Sequence, residues 1–264
     1  MTLPRLDPYL LSIGEELEDL SRIGARQPYR PSGPSLPRED LEVLARAATA
    51  RLRKVTATPT LTEAGLMEGT ELTSDGRMVA GLLTQAEARM RVESGRGRAP
   101  LTLDVYLGGG LGLAVATASP ASIEDTPHGE AILEAAGSVA LDLVDSSGIP
   151  ALVASWVGLA PAWSLATAPE TILEETVLTR VDEPETPPPP GADAHLQYVW
   201  SQPWFLWTLR SSGSPDGLAV VHAGAAGHFL LMSADEPGHV GFQCIPAAQL
   251  WAHLVEQTAV AVRG

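Results

Sequence analysis

Apolar residues along the chain change their spacing twice, and the changes mark out its elements. From Pro8 to Gly24, Ile13, Leu17 and Leu20 recur at helical intervals while Glu15, Glu16, Glu18 and Asp19 fill the other face, the pattern of an amphipathic helix. A proline-rich connector follows. Over 37–54, Leu41, Leu44, Ala48 and Leu52 form a second apolar stripe, and Pro37 suits a first helical turn. Thr60-Leu-Thr-Glu63 has capping-box spacing and meets Gly65, which predicts a single turn. Ser74 or Asp75 then caps a helix over Met78, Val79, Leu82, Leu83 and Ala86.

At Ala88 the period falls to two. Met90 and Val92 alternate with Arg89, Arg91 and Glu93; Leu101, Leu103, Val105 and Leu107 alternate with Thr102, Asp104 and Tyr106; Leu111, Leu113 and Val115 alternate with small residues. Three strands in an antiparallel meander are predicted, then a helix from about Gly129 to Leu143. The second half repeats this order. A helix around 170–178 and an acidic polyproline stretch, 182–193, precede strands at Trp204–Leu209, Leu218–Val221, His228–Met232 and Val240–Cys244; Pro246 then opens a helix on Leu250, Leu254 and Thr258. The expected fold is α+β, one unit over 1–264 built from two quasi-repeated halves. Each half is an antiparallel β-meander followed by a helix, at about 36–180 and 194–264, with 182–193 as the linker.

The charge balance narrows the functions. With 17 basic and 32 acidic residues among 264, the net charge is −15, and Lys54 is the only lysine. No positive footprint for phosphate is present, so nucleic acid and anionic membrane surfaces are disfavoured as partners. The single cysteine, Cys244, closes no intrachain disulfide and, with an N-terminal stretch too short and acidic for a signal peptide, points to a reducing cytoplasm. The uncharged stretch 146–169 is long enough to cross a bilayer, but Gly148, Pro150, Gly158 and Pro161 interrupt it and its flanks are acidic. It is expected to be a buried strand and loop.

Catalytic patterns are missing. Gly108-Gly-Gly110 fits no dinucleotide register and reads as a hairpin turn, and neither a Walker motif nor a G-x-S-x-G elbow occurs. No cofactor is expected. His222, His228 and His239 fall on neighbouring predicted strands and could converge, which keeps a small metal-dependent or small-molecule enzyme as the alternative to a binding protein. Cys244, in an apolar strand, reads as packed. Trp204, Phe205 and Trp207 make both faces of one predicted strand aromatic. They either fill the core or, if one face is solvated, offer a partner-binding surface.

The run Glu63-Ala-Gly-Leu-Met-Glu-Gly-Thr-Glu-Leu72, the helix that follows, and Arg89-Met-Arg-Val-Glu93 with its meander together resemble the EspG family, cytosolic chaperones of actinobacterial type VII (ESX) secretion. The closing segments Gly227-His-Phe-Leu-Leu-Met232 and Val240-Gly-Phe-Gln-Cys-Ile-Pro-Ala-Ala-Gln-Leu250 are similar to that family's final strands and helix, with His228 in place of its usual arginine and Phe242 in place of its usual tryptophan. The resemblance implies two meanders joined into a central sheet flanked by helical bundles. It also implies a non-enzymatic task, holding helical-hairpin secretion substrates of the PE/PPE type soluble in the cytoplasm until export. In that family a loop between early strands contributes to the partner contact. The matching positions are Gly95, Arg96, Gly97 and Arg98, whose arginines suit electrostatic orientation of a partner by an otherwise acidic protein.

Overall fold

The computed structural model describes residues 29–50, 54–95, 101–123, 137–159, 169–214 and 217–263. The helix expected over 8–24 lies outside them. Strand β1 (Ser35–Pro37) leads into helices α1 (Arg38–Thr49), α2 (Pro59–Glu63) and α3 (Ser74–Gln85), with a small hairpin of β2 (Met67–Glu68) and β3 (Glu71–Leu72) between the last two. The meander β4 (Ala88–Gly95), β5 (Leu101–Gly108), β6 (Leu111–Ala116) follows, then a short α4 (Pro120–Ile123), β7 (Ser138–Asp145) and α5 (Ile149–Trp156). The second set is β8 (Glu170–Leu173), α6 (Glu174–Asp182), α7 (Ala194–Ser201), β9 (Trp204–Ser211), β10 (Leu218–Ala223), β11 (His228–Ser233), β12 (His239–Ile245) and α8 (Ala247–Arg263).

Ten strands form one antiparallel sheet in the order β1-β7-β6-β5-β4-β9-β10-β11-β12-β8. The order is palindromic about the β4–β9 contact. Each half begins with its own edge strand, β1 or β8, inserts helices, runs its meander outward from the centre and closes with a helix. The two-half α+β architecture is therefore present, with differences from the expectation. Each half supplies five strands where three and four were expected, because β1, β7 and β8 join the sheet as well. Since β8 pairs with β12, the second half begins by 170, and the proline-rich stretch 182–193 connects α6 to α7 inside that half.

Local chemistry explains most of the elements. Thr58 caps α2 by accepting from Leu61 N, and Thr73 caps α3 by accepting from Gly76 N. The β5–β6 hairpin turns on Gly109 (φ 59°) and Gly110 (φ 78°); two successive positive φ values are what a type I′ turn requires and only glycine adopts them freely. Over 138–143 a strand replaces the end of the expected helix. Val139 and Leu141 face one side and Ala140 and Asp142 the other, all buried, and a strand covered on both faces has no solvent side to reveal its period. Ile149–Trp156, within the uncharged stretch, is a buried helix with Pro150 in its first turn and no strand. Among the described residues no helix is long and apolar enough to cross a membrane.

Asp142 ties the start of the described chain to the sheet. Its carboxylate accepts from the Tyr29 hydroxyl (2.6 Å), from Ser32 N and Oγ (both 2.6 Å) and from Gly33 N (3.1 Å). The strap runs so close to β7 that a Cβ on Gly33 would fall 1.7 Å from the Leu141 carbonyl oxygen. Burial, and then the hydrogen bond and charge of Asp142, push the Tyr29 phenol far above its usual pKa. Asp142→Ala leaves these donors without their acceptor, and urea denaturation should show a loss of roughly 1–3 kcal/mol; an unchanged midpoint would mean that the strap contributes nothing.

Candidate partner-binding face

The sheet's two faces are covered differently. On one, Met90 and Val92 of β4, Leu103 and Val105 of β5 and Phe205, Trp207 and Leu209 of β9 pack with α5 and α8 residues Val153, Trp156, Leu250 and Leu254 into a continuous core. On the other, the apolar cover is split. Leu113, Val115, Val139 and Leu141 lie under α1 and α3, with Leu44, Val79 and Leu82 above them. At the far side Trp204, Val221, Phe229 and Phe242 lie under α6 and α7, with Val177, Val181, Val199 and Trp200. Between these clusters the middle of the sheet shows charged side chains. Arg89, Arg91 and Glu93 of β4 alternate with the buried positions, Asp104 and Tyr106 stand beside them on β5, and Thr208 and Arg210 on β9.

Arg89, Arg91, Asp104, Tyr106 and Arg210 line a shallow depression of about 340 Å³. Arg91 lies directly opposite Arg210 across the β4–β9 pairing, an arrangement that costs stability when two like charges face each other. Arg91 is partly neutralised, with Nε 3.1 Å from Glu93 and Nη1 3.4 Å from Asp104. The Arg89 guanidinium lies 5.2 Å from the centre of the Tyr106 ring, and Arg38, at the start of α1, donates to Thr102 Oγ1 at 3.0 Å. Burial raises the Asp104 carboxyl above its usual value, and outweighs Arg91, Arg38 and Arg89, which pull it down. Tyr106 is raised too, by burial first and then by Asp104. Among the described residues, Arg89 and Arg210 meet no carboxylate within salt-bridge distance. The depression is thus a small basic spot on a chain of net charge −15.

The residues singled out in the sequence fall in different places. Gly95 is the exposed last residue of β4, opposite Leu206; Arg96, Gly97 and Arg98 lie outside the described residues. Trp204, Phe205 and Trp207 are 1%, 3% and 0% exposed, which decides for the core and corrects their reading as a binding surface. The strand carries aromatics on both faces because it is central and covered twice, Phe205 and Trp207 by α5 and α8, Trp204 by α6 and α7. Trp204 stacks on Phe242 (5.5 Å), meets Trp200 edge-on (4.5 Å) and donates from Nε1 to the Val199 carbonyl (2.8 Å). Arg180, buried in α6, donates to the carbonyls of Trp200 and Gln202 and lies over the Trp204 ring.

The three histidines do not converge. His222 and His228 are paired in register and buried, with Nδ1 atoms 3.4 Å apart. His228 faces Ile245 on β12, whereas His239 opens that strand, six residues and about 20 Å away. Among the described residues no group of three or more His, Cys, Asp or Glu side chains is arranged to hold a metal ion. Helix α7 and the basic depression also escaped sequence reasoning. Helix α7 is announced by Asp193, which caps it by accepting from Leu196 N at 2.7 Å, with Leu196, Val199 and Trp200 at helical spacing. The basic depression joins arginines of β4 and β9, distant in sequence, and only the register of those strands brings them together.

One similar chain is the type VII secretion system chaperone EspG5 of Mycobacterium tuberculosis, solved in complex with a PE25–PPE41 dimer; it is 12% identical, with 86% of this chain and 95% of that one covered and a TM-score of 0.49. No protein-family model matches the sequence, and no curated protein matches it.

Substitutions in β9 separate a satisfied buried tryptophan from an unsatisfied one. Trp207 Nε1 has no hydrogen-bond partner among the described residues, whereas Trp204 has the Val199 carbonyl. Either tryptophan changed to alanine should cost about 3–5 kcal/mol. Changed to phenylalanine, Trp204 should cost more than Trp207, because only Trp204 has a side-chain hydrogen bond to lose; the Val199 carbonyl keeps its bond from Gln202 N. Denaturation midpoints of the four variants check this, and equal losses in the two phenylalanine variants would contradict it.

Proposed function

We propose that the protein is a non-enzymatic chaperone or adaptor of type VII secretion that holds helical-hairpin substrates of the PE/PPE kind soluble in the cytoplasm before export. The observation that carries this reading is the palindromic ten-stranded sheet. The resemblance of the motifs around Glu63–Leu72 and of the closing strands to the EspG family implies two meanders joined into a central sheet, and that arrangement agrees with this order. The split helical cover supports the reading physically, since among the described residues it leaves a strip of sheet open to a partner. In this reading Gly95, at the end of β4, and Arg96, Gly97 and Arg98, which follow it in the sequence, contribute to the contact.

Co-expression tests it. The full chain, produced with a candidate PE/PPE-like pair from the same genome, should co-purify with it and keep it in the soluble fraction. Replacing Arg96 and Arg98 by glutamate should reduce the captured amount and make residual binding less sensitive to salt, with no fall in melting temperature. A folded protein that captures none of the genome's helical-hairpin pairs would overturn the proposal, and undiminished capture by the loop variant would remove the loop from it.

A further inference from the structure

We propose that the basic depression on the open side of the sheet receives a single partner helix through acidic side chains on that helix, which refines the reading above by giving the chemistry of the contact and rests on it for the partner's helical nature. Three observations converge. The first is a repulsion built into the free protein: Arg91 and Arg210 are directly opposed across the seam, and the two nearby carboxylates, Glu93 and Asp104, both lie against Arg91. Arg210 has no ionic partner among the described residues, so a carboxylate arriving from outside relieves a repulsion and satisfies a guanidinium fork together. The second is a local charge that opposes the whole. Arg38, Arg89, Arg91 and Arg210 gather around this spot on a chain of net charge −15. That steers a short acidic segment into place, while the rest of the surface repels a long polyanion such as nucleic acid.

The third observation is the shape of the opening. The exposed strip spans β5, β4 and β9, two inter-strand gaps or about 10 Å, and the helical clusters rise on either side. One α-helix with its side chains is about 10–12 Å across. A depression of about 340 Å³ accommodates one or two acidic side chains and no folded domain. Tyr106, with Arg89 over its ring, gives the helix an aromatic contact beside the charges.

Fluorescence anisotropy on the full chain tests the proposal with a defined probe, a fluorescein-labelled alanine-based helical peptide carrying glutamates on one face, beside the same peptide with glutamines. The wild type should bind the glutamate peptide at least tenfold more tightly than the glutamine one, with affinity falling as sodium chloride rises. Arg210→Glu should weaken that binding about tenfold or more while holding or raising the melting temperature, because it sets a carboxylate opposite Arg91; a lost site in a well-folded variant cannot then be ascribed to unfolding. Equal binding of the two peptides, equal binding by Arg210→Glu, or tighter binding of a single-stranded oligonucleotide than of the glutamate peptide would each overturn the inference. Capture of a helical-hairpin pair distinguishes this from the broader reading. Should Arg210→Glu capture the pair as well as wild type, the charged contact falls and the adaptor stands. Should wild type take the peptide in this Arg210-dependent way but capture no pair, the adaptor falls and the charged site stands.

Discussion

The antiparallel pairing of β4 with β9 is the contact on which the rest depends. Every other strand neighbour in the sheet lies within one half, so this seam, from Met90 opposite Ser211 to Gly95 opposite Leu206, is what makes two meanders one sheet. Side chains reinforce it. Ser94 Oγ donates to the Leu206 carbonyl at 3.0 Å, and Arg89 N donates to Ser212 Oγ at 2.8 Å. Behind the seam Met90, Val92, Trp207 and Leu209 share a core with α8, and α5 packs against α8. Helix α8 thereby covers the junction between the halves with α5 packed against it, and burial of that shared apolar surface favours the joined state.

Among the described residues, the same geometry leaves the other side of the seam open. The helices inserted after each edge strand must return the chain from the rim of the sheet to its centre, and they pack over the outer strands on the way. Those two returns come from opposite rims and do not meet. Charged residues at Arg89, Arg91, Asp104 and Arg210 are compatible with the uncovered strip and would be costly under a helix. Openness at the seam is therefore a consequence of the palindromic order, and the arginines are the side chains that such a place tolerates and that a partner can use.

Most of this order was legible in the chain. The first meander shows alternation, most plainly in β4 and β5, because one face of those strands meets solvent for part of its length, and the last helix shows Leu250, Leu254 and Thr258 as its buried stripe. Where burial is two-sided the signal vanished. Ser138–Asp145 read as the end of a helix and Ile149–Trp156 as a strand, since a continuous apolar run carries no period to distinguish them. Trp204, Phe205 and Trp207 were ambiguous for the same reason, because aromatics on both faces mean either a doubly covered strand or an exposed one. The arginine depression could not be read from the chain, as Arg91 and Arg210 are brought together only by strand register.

The central claim is that a partner docks on the open strip over β4 and β9, and a site-directed photocrosslink measures it most directly. Cys244, the only cysteine, is buried, so a thiol introduced on the surface can be labelled selectively with a benzophenone. Thr208→Cys places the label on the open strip, and His253→Cys places it on the exposed side of α8. The account predicts that irradiating the co-purified complex links the partner to position 208 and leaves position 253 unreacted. Crosslinking at 253 with none at 208 would contradict it.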